Sequence, residues 1–378
     1  MGMNLGLNPD MTLGIDLSAL FQWNNFTVDL VAFAVKFAIL VGGLLQLPPL
    51  LVWIERRVPA LMQRRRGPNR VGIFKWRLYG LLQSLADTIK LIFKEEVVPD
   101  GAHKVFYHLA PVFCVFPAFL VACAIPYGPD LAIAGYQIPL SVVRMDVGFL
   151  FIFAISSLAV YGVSLAGWAS NNKYSLMGSL RASAQMISYE IPLGMSLIPI
   201  VLIYGTLDLG KIVEAQTSFF HWGVFTAPFS LLIFVICMFA ETNRAPFDLA
   251  EAEGELVAGF HTEYNSAKFA AFFLGEYVSM FVLSCLASTV FFGGWQVPFV
   301  SYEALVAILG SPNLVAPIGI LMLLLKASFF MWVYIWVRWT LPRFRYDQLM
   351  SLGWKFMLPI GLANVVVTAI VLAVLRFK

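Results

Sequence analysis

The chain has 378 residues, of which 60% are hydrophobic and 12% charged, with a formal net charge of +3 and a mean hydropathy of +0.81. A charged share about half that of ordinary globular domains excludes disorder and argues against a water-soluble enzyme, and so small a net charge gives no footprint for nucleic acid. What remains is a polytopic membrane protein: apolar runs of about 20 residues, long enough to cross the hydrocarbon core as helices, recur along the sequence.

Met1 to Asp29 reads as a polar-to-amphipathic lead-in. The first basic residue is Lys36, so the positively charged start of a cleavable signal peptide is missing and none is expected. Eight spans are predicted, at Leu30–Ile54, Val105–Pro126, Val147–Trp168, Ala182–Tyr204, Val224–Ala240, Lys268–Phe292, Leu314–Trp336 and Lys355–Leu375. The fourth is expected to be broken at Pro192 and Pro199, a break that membrane helices tolerate where neighbours satisfy the freed carbonyls. The expected fold is an all-α polytopic membrane protein with about eight transmembrane helices and one amphipathic helix, in a single membrane domain spanning 1–378.

The 55–104 segment is too long for a simple connection. Glu55-Arg56-Arg57 and the run Gln63 to Arg70 form a basic hook, with Gly67-Pro68-Asn69 as a turn signal inside it. From there Leu78, Leu81, Leu82, Leu85, Ile89, Ile92 and Phe93 follow helical spacing, opposite a stripe of Gln83, Asp87, Lys90 and Lys94. Such a helix either lies in the membrane interface or packs on the bundle and lines an opening from the lipid. In the second case Asp87 beside Lys90 suits a ligand with a polar head and a greasy tail. The hook is either a stop-transfer anchor on anionic headgroups or a fixed arginine loop. A second basic hook, Arg338 to Arg345, leaves the seventh span.

Positive charge sets the orientation. Nineteen of the 25 Lys and Arg fall in or at the edge of 55–104, 169–181, 241–267 and 337–354, which are expected to face the cytoplasm, leaving both termini outside. Cys114, Cys123, Cys237 and Cys285 all lie in apolar runs, and the four histidines are scattered, so neither a redox centre nor a structural metal is expected in this chain. Inside the spans stand Glu190, Glu276 and Lys326. An ionised residue at mid-membrane costs about 2.5–3.5 kcal/mol on the milder scales, so each is either functional or helix–helix glue, such as a Glu276–Lys326 pair. Lys36, nearer a helix end, is expected to snorkel.

The least expected stretch is Glu241 to Phe260. Glu241, Asp248, Glu251, Glu253, Glu255 and Glu263 crowd into it and just behind it, with only Arg244 and Lys268 nearby. If the chain is helical from Asp248 onward, Asp248, Glu251 and Glu255 share one face and repel. At low dielectric at least one of them then keeps its proton near neutral pH, and linked to Glu190 and Glu276 the acids form a proton path into the membrane. The alternative is a solvated loop with all six ionised. Pro246, Phe247 and the run Leu256 to Phe260 argue that the loop folds back on the bundle.

These residues carry a resemblance over nearly the whole chain. Glu241 to Phe260, Gly80 to Lys90, Gly67-Pro68-Asn69, Ser188-Tyr189-Glu190 and Pro342 to Asp347 together resemble the H-type membrane subunit family of proton-pumping NADH:quinone oxidoreductase (respiratory complex I, mitochondrial subunit 1). The resemblance implies eight membrane helices in the bacterial inner membrane, at the junction of the electron-transfer arm and the pumping arm. It implies no cofactor in this chain, with FMN and iron–sulfur clusters in partner subunits and antiporter-like membrane subunits as further partners. It also implies a quinone chamber entered from the lipid past the amphipathic helix. Arg56, Arg65, Asp87, Phe273, Arg338 and Arg343 fall at chamber positions. Glu190, Glu241, Asp248, Glu251, Glu253, Glu255, Glu263 and Glu276 fall on an acidic path toward the membrane axis. A homologous membrane subunit of a related energy-converting hydrogenase or dehydrogenase is the nearest alternative on sequence. A stand-alone ion transporter is disfavoured by the lack of an internal repeat, and a purely structural anchor is the third reading.

Overall fold

A backbone surrounded by hydrocarbon must satisfy its own polar groups, and a helix lets one segment do so alone. The computed structural model describes residues 26–72, 78–133, 136–249 and 256–376. Its elements in order are α1 (Phe26–Met62), α2 (Leu82–Phe93), α3 (Lys104–Cys123), a hairpin of β1 (Leu131–Ile133) and β2 (Tyr136–Ile138), α4 (Gly148–Ser156), α5 (Leu158–Ala169), α6 (Lys173–Tyr204), α7 (Leu209–Ala215), α8 (Pro228–Glu241), α9 (Ser266–Phe291), α10 (Tyr302–Leu309), α11 (Pro312–Thr340), α12 (Tyr346–Ser351) and α13 (Leu358–Arg376). A π-helical turn, Leu352–Met357, joins α12 to α13. Among the described residues seven helical columns are long and apolar enough to cross a membrane, α4 with α5 making one and α12 to α13 another, and α8 is a shorter apolar helix. Seven of the eight expected spans are present as such columns and the fifth, Val224–Ala240, appears as the shorter α8, which starts at Pro228; the fold is that of a polytopic membrane protein.

The helices outrun their apolar runs. α1 continues to Met62, α6 starts at Lys173 and α11 ends at Thr340. A charge ends an apolar run but not a helix, because the i to i−4 hydrogen bonds continue past the apolar stretch. Glu55, Arg56 and Arg338 are thereby held on helical surface rather than on loops. The expected break in α6 is absent: the helix is continuous over 32 residues with Pro192 and Pro199 inside it. Packing against α5, α8 and α13 holds it. Nearby hydroxyls also bond back to the backbone, Ser188 to Ala184 O (2.5 Å) and Ser196 to Leu193 O (2.6 Å).

α9 is the axis of the bundle. It packs on α1, α2, α3 and α11, and 61% of its most apolar window is buried against 6% for α1 and for the α12–α13 column. The outer faces of those two columns are therefore left to lipid or to other chains. Small residues permit the close crossings: a Cβ on Gly275 of α9 would lie 2.9 Å from Cys114 O of α3.

The remaining intramembrane cations serve backbone carbonyls. Lys36 Nζ reaches Ser141 O (2.9 Å) and Pro139 O (3.2 Å) beyond the hairpin. Lys326 Nζ donates to Phe292 O, Gly294 O and Gln296 O at 2.7, 2.8 and 2.6 Å and lies 4.5 Å from the centre of the Trp222 ring. The Glu276–Lys326 pair therefore does not form. Lys326 reaches the connection just after the C-terminal end of α9, where the dipole favours a cation. Glu276 sits about 22 Å nearer the other end at about 1.5 Å per residue.

The amphipathic helix is α2. Leu81, Leu85, Ile89 and Ile92 stay exposed while Ser84 is buried, so its apolar stripe faces outward and its other side rests on α1 and α9. Its start is fixed by Gly80, whose φ is +85° and whose Cβ, if present, would fall 1.7 Å from Pro68 O. Only glycine fits, and the Gly67-Pro68-Asn69 turn is locked against the foot of α2. A Gly80→Ala substitution is expected to destabilise this contact by about 2 kcal/mol or more. In the membrane-embedded chain that reads as faster hydrogen exchange over 63–93; exchange at the parent rate would show that the hook is not fixed there.

Candidate functional site

Where α1, α9 and α11 meet the loop after α8, four charged side chains share one site. Glu55, on the last turns of α1, is 8% exposed, and Arg244, in the loop, is 5% exposed. Glu55 Oε1 pairs with Arg338 Nη1 of α11 and lies 3.4 Å from Arg244 Nη1, while Glu55 Oε2 accepts from Tyr277 OH at 2.5 Å. Arg244 Nε lies 2.5 Å from Glu276 Oε1, and its guanidinium sits 4.4 Å from the centre of the Tyr277 ring. Two carboxylates and two guanidiniums balance. Burial alone would lower the pKa of Arg244, but Glu276, Tyr277 and Glu55 outweigh it and hold the guanidinium firmly charged. Glu55 and Arg244 are legible in the sequence only as part of a basic hook and as a neighbour of the acids. The missed signal is a Glu one residue before Arg56 at the end of a span: adjacent helical residues point about 100° apart, so one faces the bundle when the other faces outward.

The outward side of the same helix ends forms a cleft. Arg56 Nη1 lies 2.7 Å from Asp87 Oδ2 of α2, and Gln83 Nε2 donates to Asp87 Oδ1 at 3.1 Å. An open cavity of about 480 Å³ is lined by Arg56, Arg65, Asn69, Arg70, Gln83 and Trp339 among others. Arg65 Nε donates to Gln63 Oε1 at 2.6 Å. The Arg56–Asp87 pair is half exposed, so it contributes about 1 kcal/mol or less and exchanges readily for another polar group. Arg338 and Trp339 are consecutive, one in the buried network and one on the cleft wall.

The inward side opens on a second cavity of about 60 Å³, lined by Glu241, Thr242, Asn243, Phe273, Gly275 and Glu276 among others. That volume holds about four waters. Glu241 Oε2 has no hydrogen-bond partner among the described residues, and Glu190 on α6 is close enough for the two carboxyls to act on each other. Gln185 of α6 fixes the loop, donating to Ala240 O (2.8 Å) and Asn243 Oδ1 (3.0 Å). Glu276 therefore faces Arg244 and also the cavity. Phe273 belongs to this cavity and not to the cleft, its ring centre 4.7 Å from that of Phe269.

Arg343 reaches Asp248 instead of the cleft, Nη2 to Oδ2 at 3.0 Å. Burial pushes the Asp248 carboxyl above its usual range, with Arg343, Arg338 and Arg244 pulling it partly back. Residues 242–249 form turns and irregular backbone, so Asp248 does not start a helix; Glu251, Glu253 and Glu255 lie outside the described residues. The second basic hook and the acidic loop meet here: Phe344 N donates to Pro246 O (3.1 Å), and the Phe247 and Phe344 rings are 5.4 Å apart. The described parts of the acidic loop, on either side of 250–255, fold back on the bundle as expected. Phe247, Leu249, Leu256 and Phe260 are buried, and a Cβ on Gly178 of α6 would lie 2.7 Å from Gly259 Cα. Burial lowers the pKa of His261 to about 4, leaving it neutral beside Phe273. Glu263 lies outside the cavity lining, where its Oε1 accepts from Asn172 Nδ2 (2.5 Å) at the foot of α6. Among the described residues no group of three or more His, Cys, Asp and Glu side chains converges in a metal-binding arrangement.

The family described as NADH dehydrogenase matches residues 35–369. The chain is 48% identical over 337 residues to NADH-quinone oxidoreductase subunit 8 of Rhodothermus marinus, covering 88% of this chain and 94% of that one. It is 47% identical over 349 residues to an H-type subunit of NADH-quinone oxidoreductase from Geobacter sulfurreducens (92% and 99%). It is 47% identical over 316 residues to an H-type subunit of the same enzyme from Cytophaga hutchinsonii (84% and 89%). Length, identity and coverage agree with the helical count and with the resemblance carried by Glu241 to Phe260, Gly80 to Lys90 and the shorter stretches: the chain belongs to the H-type subunit family of NADH-quinone oxidoreductase, a membrane subunit of that enzyme complex.

Proposed function

We propose that this chain forms much of the quinone chamber of its complex and couples quinone reduction to proton movement. The observation that carries the reading is the placement of Glu276, paired with Arg244 on one side and open to the Glu241 cavity on the other. On this reading quinone comes from the lipid past the exposed stripe of α2, and its head meets Arg56, Arg65 and Trp339. The arm subunits that hold the electron carriers complete the chamber over the basic loops. The basic side then faces the cytoplasm of the bacterial cell, both termini lie outside, and antiporter-like subunits receive the signal along the membrane.

The reaction adds two electrons and two protons to quinone to give quinol. Electrons arrive from a partner, and negative charge near Arg338 and Arg56 develops before protons neutralise it. That charge competes with Glu55 for the Arg338 guanidinium. Glu55 then draws more strongly on Arg244, whose hold on Glu276 weakens. A carboxylate that loses its counter-ion in a low-dielectric site takes up a proton, here from cavity water replenished through Glu241 and Glu190. When quinol leaves, the original pairing returns and Glu276 gives its proton up. Glu251, Glu253 and Glu255, outside the described residues, belong to this path on the sequence resemblance alone.

Two outcomes follow. Arg56→Ala in the assembled complex is expected to raise the quinone KM about tenfold, the loss of one charge-assisted contact, with electron transfer to an artificial acceptor upstream of quinone unchanged; an unaltered quinone KM removes Arg56 from the chamber. Glu276→Gln in proteoliposomes is expected to lower the protons moved per NADH oxidised while quinone reduction continues. Full stoichiometry in that variant would remove Glu276 from the coupling path.

A further inference from the structure

Two polar residues at the start of α9 bond elsewhere than to their own helix. Asn265 holds the N-cap position yet makes no side-chain cap; its Oδ1 instead accepts from Val97 N at 3.4 Å. Ser266, the first helical residue, is buried and stands at φ 56°. Few residues with a Cβ adopt that left-handed conformation unless the surroundings hold them there. Its Oγ lies 2.7 Å from Lys94 O and 3.0 Å from Leu91 O. Leu91 O belongs to the last turn of α2, whose carbonyls have no partner within the helix. Ser266 thus caps the C-terminal end of α2 from another segment. Lys268 adds an ion pair with Glu96 and lies 4.6 Å from the centre of the Tyr107 ring.

The same joint carries the acidic loop. Residues 256–264 run directly into Asn265 and are tied to α6 through Ser175 Oγ to Phe260 O (2.9 Å) and Asn172 to Glu263. Beyond the joint, Phe273 and Glu276 lie two and three turns further along α9. The other end of α2 is locked to the arginine hook by Gly80. A glycine at 266 would hold the same φ without strain, so what serine adds at this position is the hydroxyl. We propose that Ser266 is a positioning residue, a latch that makes the C-terminal end of α2 and the exit of the acidic loop move as one body. Displacement of α2 by an entering quinone is then transmitted to the loop and to the acid cavity. The functional half of this inference rests on the quinone reading above.

The test compares Ser266→Gly, Ser266→Ala and Ser266→Asn in the assembled complex by hydrogen exchange over 82–97 and 256–264, together with KM and kcat for quinone. Gly and Ala are expected to speed exchange in both segments together by about three- to tenfold, as loss of one buried hydrogen bond implies. They are also expected to raise the quinone KM severalfold with kcat within about twofold. Asn, which tolerates left-handed backbone and offers a donor, is expected to restore both. Exchange at the parent level in Ser266→Gly, or loosening of one segment alone, overturns the latch. Loosening of both segments with an unchanged quinone KM leaves the latch standing and overturns the quinone-entrance reading. Should the Ser266 variants fail to assemble, Asn265→Ala removes only the Val97 contact; a smaller rise in both segments supports the latch and no rise overturns it.

Discussion

Arg244 is the group on which the site depends. It is one of two cations serving two carboxylates, Glu55 buried and Glu276 partly exposed, and it is the one that touches both, Glu55 through Nη1 and Glu276 through Nε. Removing one partner of such a set leaves a charge stranded in low dielectric, which costs about 3–5 kcal/mol. The arrangement therefore has few states. Either the four charges remain balanced, or a proton or an arriving charge replaces the missing partner. A set that responds in whole charges suits the conversion of redox chemistry into protonation.

The bundle supplies what that response needs. α9 carries Phe273, Glu276 and Tyr277 on the most buried helix, so these groups are fixed relative to one another. α1 and α11 bring Glu55 and Arg338 into the network, while their neighbours Arg56 and Trp339 line the cleft, so one pair of helix ends serves both. α8 ends at Glu241, and the loop that follows returns at once through Arg244. Cleft, network and cavity are thus consecutive, with no long gap for a signal to cross.

Much of this is legible in the sequence because it is written in apolar period and charge. Eight spans follow from runs of sufficient length, and α2 follows from the stripe of Gln83, Asp87, Lys90 and Lys94 against leucine and isoleucine. The Arg56–Asp87 pairing joins two segments singled out independently for their charge. What the sequence conceals depends on direction rather than composition. Glu55 reads as hook until α1 is seen to continue past Ile54, and Arg244 reads as one base among six acids until the loop turns it inward. Lys326 looks like a partner for Glu276 because both are intramembrane charges of opposite sign. They point to opposite ends of α9, and open carbonyls after its C-terminal end take the lysine. Pro192 and Pro199 look like a break because proline removes a donor, yet packing on three sides keeps α6 whole. Ser266 carries no signal at all, since a single serine at the head of a span reads as an ordinary cap.

The central claim is that charge at the cleft reaches the acid cavity through Arg244. Infrared difference spectra of the assembled complex, reduced minus oxidised, test it most directly, because protonated carboxyls absorb apart from carboxylates. The account predicts a protonated-carboxyl band that appears on quinone reduction, disappears in Glu276→Gln, and shifts or weakens in Arg244→Lys, where a point charge replaces the fork that spans Glu55 and Glu276. A carboxyl band identical in the parent and in both variants would contradict it.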